Sequence, residues 1–177
     1  YYTEELFMGY YYAKYMGYVA AEGKKEYEIP MYCNAWLKGP DYPWSGMHPG
    51  GGPLPNVMDM YHCAGPAIDM MSPDIYIPNF TEIVEWYDRL GNPLFIPETR
   101  GGDLGVSRLL WAIGEHNLIG FSPFGIDRSV RDADIKPATD PLAIAYGHLA
   151  GMQDIILQNQ GTDAIRGFFV DADNPSC

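Results

Sequence analysis

Pro93-Leu94-Phe95-Ile96-Pro97-Glu98-Thr99-Arg100-Gly101-Gly102 is the segment around which the architecture of this chain is read. A short run of Leu, Phe and Ile between prolines predicts a strand buried on both faces, as in the parallel sheet of an α/β protein. The run ends in a carboxylate, and α/β folds gather their chemistry at the carboxyl ends of their strands. The glycine pair lets the chain leave the strand without strain. Taken alone, the segment favours reading Glu98 as an ordinary carboxylate that pairs with Arg100 or caps the next helix.

The flanking sequence supplies the context. Residues 3–25 have a helical pattern, with Leu6, Gly9, Tyr10, Ala13, Met16, Gly17 and Ala20 on one face, whose small side chains suit close packing on a sheet. Strands are expected at 31–37, 68–76, 94–96 and 118–124. Helices are expected at 56–63, from Asn79 or Thr81 to Leu90, at 105–116 and from Asp140 to about 157. Within 105–116, Val106, Leu109, Leu110 and Ile113 form the inner stripe. Residues 38–55 are a loop dense in Gly and Pro that directly follows a strand, where barrel enzymes build specificity loops. This αβαβαβαβα alternation implies a parallel sheet with right-handed crossovers. Four strands make half of a (β/α)8 barrel or one open flavodoxin-like sheet. A glycine-rich phosphate loop is absent, and Pro49-Gly50-Gly51-Gly52-Pro53 lacks the amide donors such a loop needs.

Composition narrows the function classes. The chain has 177 residues, 47% of them hydrophobic and 19% charged, enough for a substantial core. A net charge of −12 repels phosphate backbones, so nucleic acid is not an expected partner. No apolar run approaches the ~20 residues that span a bilayer, so no membrane partner is expected either. The opening Tyr1-Tyr2-Thr3-Glu4-Glu5 runs straight into a helical pattern and reads as a segment of a longer polypeptide, of a soluble kind compatible with a periplasmic or secreted setting. Cys33, Cys63 and Cys177 show no zinc-ribbon spacing; His62-Cys63, Glu115-His116 and His148 give no repeated ligand spacing, so neither metal nor other cofactor is expected. A Ser-His-Asp hydrolase is disfavoured by the lack of GxSxG. Aromatics make up 14%, which suits a planar, partly polar ligand such as a sugar.

Met31-Tyr32-Cys33-Asn34-Ala35-Trp36-Leu37, Gly51-Gly52-Pro53, Ala67-Ile68-Asp69 through Ser72-Pro73-Asp74-Ile75-Tyr76, and Asn92-Pro93-Leu94-Phe95-Ile96-Pro97-Glu98 together resemble the glycoside hydrolase family 35 β-galactosidases, a bacterial subgroup above all. The resemblance runs in order from Thr3 to about Gly167. It implies the C-terminal half of a (β/α)8 barrel, strands five to eight, in a retaining glycosidase acting on terminal β-linked galactose. By the same resemblance Glu98 is the nucleophile of a double displacement. Tyr76, Asn34, Trp36, Asp74 and Arg100 are candidate substrate-binding or orienting residues, with Trp44 and His48 as further subsite candidates. The structural alternatives are a packing role for Tyr76 and Trp36, turn capping by Asp74, and pairing of Arg100 with Asp103. The clan's acid/base Asn-Glu pair does not occur in these residues, since Glu4-Glu5 starts a helix where acids complement the dipole. The acid/base strand is therefore expected upstream of Tyr1, and the segment by itself is expected to be inactive. A glycosidase of the same clan with another sugar preference, and a non-catalytic carbohydrate-binding half-barrel, are the competing functions.

Overall fold

The computed structural model of the chain describes residues 2–38, 44, 46–47, 50–127 and 139–169. Helices and strands alternate as α1 (Tyr2–Glu26), β1 (Tyr32–Trp36), a 3-10 turn (Pro55–Val57) running into α2 (Met58–Ala64), β2 (Met70–Ile75), α3 (Phe80–Tyr87), β3 (Phe95–Thr99), α4 (Gly102–His116), β4 (Gly120–Pro123) and α5 (Pro141–Asn159). The strands form one four-stranded parallel sheet in the order β1-β2-β3-β4, with β1 and β4 at its edges. β1 pairs with β2 in the register Tyr32↔Met70, Asn34↔Ser72 and Trp36↔Asp74. The expected α/β class and element order are observed.

Contacts divide the chain into two compact units, Tyr1–Pro97 and Glu98–Cys177. In the first, Ile75, Ile83, Val84, Tyr87, Leu94 and Ile96 are buried to within 2% as α3 closes over β2. Each such side chain is worth about 1.5–3 kcal/mol of transfer free energy. The 25-residue helix α1 buries Gly9, Ala13, Gly17 and Ala20, a stripe at helical spacing. That stripe packs against the 3-10 turn and α2 rather than on the sheet, while Leu6 and Tyr10, expected inside, are 41% and 40% exposed. The reason is close approach: a Cβ placed on Gly17 would stand 2.5 Å from the Cα of Gly65. Gly17→Ala is expected to destabilise the protein by about 1–2 kcal/mol, because this backbone clash outweighs the helix propensity that Ala gains. Chemical denaturation checks the sign, which would reverse if the contact could relax.

Helix ends also differ in detail from expectation. Asn79 flanks α3, but its amide donates to Glu82 Oε2 at 2.7 Å instead of accepting a backbone N–H. Helix α4 begins at Gly102, earlier than the apolar stripe implied, and Gly102 itself takes φ +74°, which a glycine adopts without penalty. Asp140 does cap α5, accepting from the Leu142 amide at 2.9 Å with Pro141 in the first turn.

In the second unit α4 packs on α5. Leu109 and Ala112 are buried, but Leu110, expected in the inner stripe, is 46% exposed; Trp111 and the cation of Arg108 are inside instead. The chain after α5 returns along α4. The Arg166 guanidinium donates to both oxygens of Glu115, at 3.0 and 2.6 Å, and Phe169 lies 6.0 Å from Trp111.

Candidate functional site

The first unit brings four of the six sequence-derived site residues together. β1 alternates, with Cys33 and Ala35 buried and Tyr32, Asn34 and Trp36 exposed. The parallel register places Asn34 and Trp36 on the face of β2 that carries Ser72 and Asp74. Asn34 Nδ2 donates to Asp74 Oδ2 at 2.8 Å. One residue beyond β2, Tyr76 is half-buried and stacks on Trp36, ring centroids 6.3 Å apart and planes 29° from parallel. The carboxyl ends of two neighbouring strands thus carry a carboxylate–amide pair beside an aromatic platform. A 56% exposed Trp36 is no core residue, and Asp74, only 7% exposed, lies inside the strand rather than capping a turn.

Below this face the packing is polar and tied down. The Tyr61 hydroxyl donates to the carbonyl of Gly51, and Tyr87 Oη donates to that of Pro53 at 2.8 Å, so the glycine-rich loop after β1 is held from beneath by two buried phenols. Burial raises the pKa of both phenols, keeping them neutral donors. Burial also pushes the Cys33 thiol up to about 11, an effect that hydrogen bonding with Tyr61 opposes and the charge of Asp74 reinforces. Cys33 is buried and Cys63 exposed. Brief iodoacetamide treatment of the native protein near pH 8 is therefore expected to alkylate Cys63 and spare Cys33, as read by peptide mass spectrometry. Equal labelling of both would show that β1 opens readily.

Glu98 is half-buried at the carboxyl end of β3. The strand's burial does not alternate cleanly there: Ile96 and Thr99 are buried, and Pro97 and Glu98 are both intermediate. The Phe124 amide donates to the Thr99 carbonyl at 2.9 Å, tying the end of β3 to the end of β4. Arg100 is exposed immediately after the strand. Of the loop candidates, Trp44 is 58% exposed, and His48 lies outside the described residues. Among the described residues no three His, Cys, Asp or Glu side chains gather as a metal site, and no helix is long and apolar enough to cross a membrane.

Two polar features escaped the sequence pattern. Glu5, only 6% exposed, meets Lys38 with Nζ–Oε1 at 2.6 Å, an ion pair spanning α1 and the exit of β1. No local spacing announces it, and its acid sits where a helix dipole alone would explain it. Asn92, placed like a turn residue between Gly91 and Pro93, is buried and makes three hydrogen bonds. Its Oδ1 accepts from the Met71 amide at 2.8 Å, and its Nδ2 donates to the carbonyls of Met71 and Tyr87 at 2.9 Å each. The side-chain amide offers β2 the donor and acceptor that a neighbouring strand residue would supply.

Comparison of the chain with protein-family models finds no match, and comparison with curated protein sequences finds none either.

Proposed function

We propose that this chain is the nucleophile-bearing half of a retaining β-galactosidase-like barrel, cleaving terminal β-linked galactose by double displacement. The observation that supports it best is the Asn34–Asp74 pair beside the Trp36–Tyr76 platform at adjacent parallel strand ends. Sugars present hydroxyls along their edges and C–H bonds on their faces, so a hydrogen-bonding carboxyl–amide pair next to an aromatic surface is complementary to both.

In this reading an oxygen of the Glu98 side chain attacks the anomeric carbon, forming a glycosyl ester as the bond to the leaving oxygen breaks and that oxygen takes a proton. Water then displaces the carboxylate with a second inversion, so the configuration is retained. The proton donor is a second carboxyl group, protonated and about 5–5.5 Å away, expected outside these residues; as the carboxylate it becomes, it takes the proton of the attacking water. Asn34 and Asp74 fix hydroxyls, Trp36 and Tyr76 support the ring, and Arg100 helps to orient Glu98. The test is hydrolysis of an aryl β-galactoside by the polypeptide that includes the preceding half. NMR should show the β-anomer of galactose as first product; the α-anomer, or a lack of turnover with retained sugar binding, would refute the reading.

A further inference from the structure

A cavity of about 580 Å³ in the first unit is lined by Leu37 and Lys38, which directly follow β1, and by residues of other segments, none of them in the strand-end cluster. Leu37 and Leu54, both buried, form its floor with Pro55. Tyr2 (73% exposed) and Trp86 (39%) stand at its rim with Asn56, and Lys38 and Arg89 are the charged lining residues among those described. The chain carries 23 acidic against 11 basic residues, yet among the described residues no carboxylate lines this cavity. Glu5 neutralises Lys38 from behind. Arg89 spends its hydrogen bonds on backbone carbonyls: Nε donates to Trp86 at 3.0 Å and Nη2 to Pro55. Those bonds aim the guanidinium without cancelling its charge, and part of its fork of donors remains for a ligand.

We infer that this cavity binds a small planar carboxylate, its anionic group on Arg89 and its ring against Trp86 over the Leu37–Leu54 floor. The volume falls within the range of small-molecule sites, roughly 300–1,000 Å³. The fixed fork favours a carboxylate over a neutral acceptor, and Trp86 supplies a face for an aromatic ring. Binding here makes no use of Glu98 or the strand-end cluster, so this site and the glycosidase reading stand or fall separately.

Isothermal titration with indole-3-acetate tests it, using indole-3-acetamide as the isosteric neutral control. The carboxylate should bind with a Kd on the order of 0.1–1 mM, as expected of a ligand this small. The amide should bind at least about tenfold more weakly, the value of one charge-assisted contact. Arg89→Gln should weaken the carboxylate by a similar factor and leave the amide nearly unchanged, and Arg89→Lys should restore part of the loss. Comparison of acid and amide on the unaltered protein needs no variant, so the test survives if Arg89→Gln unfolds. Equal affinities for acid and amide, or no saturable binding of the acid at 10 mM, would overturn the inference.

Discussion

If Glu98 is the nucleophile proposed above, Glu98→Gln is expected to lower kcat/KM for an aryl β-galactoside by on the order of 10⁴-fold or more in a polypeptide that supplies both proposed carboxylates. Gln keeps the size and most of the hydrogen bonding of Glu98 but cannot attack the anomeric carbon, so binding persists while the glycosyl ester never forms. Loss should therefore fall on kcat. Glu98→Gly adds a diagnostic: with the nucleophile gone, azide can enter the space and attack in its place, giving a glycosyl azide of inverted configuration. A structural carboxylate at the end of β3 would instead show weakened stability in Glu98→Gln, near-normal turnover and no azide product.

The largest expected loss of stability comes from Asn92. Its side chain satisfies the Met71 N–H, the Met71 carbonyl and the Tyr87 carbonyl, all in a buried region. Asn92→Ala leaves these groups facing a cavity rather than water, and stranding buried polar groups costs about 1–3 kcal/mol each. Partial relaxation and solvent entry bring the expected total to about 3 kcal/mol, a large fraction of the usual stability of a small domain. Asn92→Asp is sharper still. It preserves shape but turns an oxygen toward two carbonyls that had accepted from Nδ2, so it should be at least as damaging as Ala at neutral pH. Equilibrium urea unfolding reads both; a change within 0.5 kcal/mol of wild type, the range of ordinary surface substitutions, would show that the buried amide is not what joins β2 to the segment before β3.

Much of the fold was readable because its signals are local. The four strands are short apolar runs bracketed by proline, glycine or polar residues, and α3 to α5 announce themselves by 3.6-residue periodicity and, for α5, by Asp140-Pro141. α1 was harder. With tyrosines on nearly every side, hydrophobicity did not say which face is inside, and the small residues that do mark it meet α2 at backbone distance instead of the sheet. The strand-end cluster was half legible. Asn34, Trp36, Asp74 and Tyr76 could be named from their places at strand ends, and their pairing follows from the parallel register. The Glu5–Lys38 pair, the phenols under the glycine-rich loop and the Asn92 bridge joined residues far apart in the chain, and no period of 2 or 3.6 encodes such contacts.

The most direct test of the glycosidase reading is covalent trapping. The polypeptide carrying both carboxylates is incubated with 2-deoxy-2-fluoro-β-galactosyl fluoride, which slows both steps but hydrolysis of the ester more, and is then digested and mapped by mass spectrometry. The prediction is a single fluorosugar adduct on the peptide containing Ile96-Pro97-Glu98-Thr99-Arg100, with the modification on Glu98. Turnover of the β-galactoside with the adduct on another residue, or turnover without an adduct and with inverted product, would contradict it.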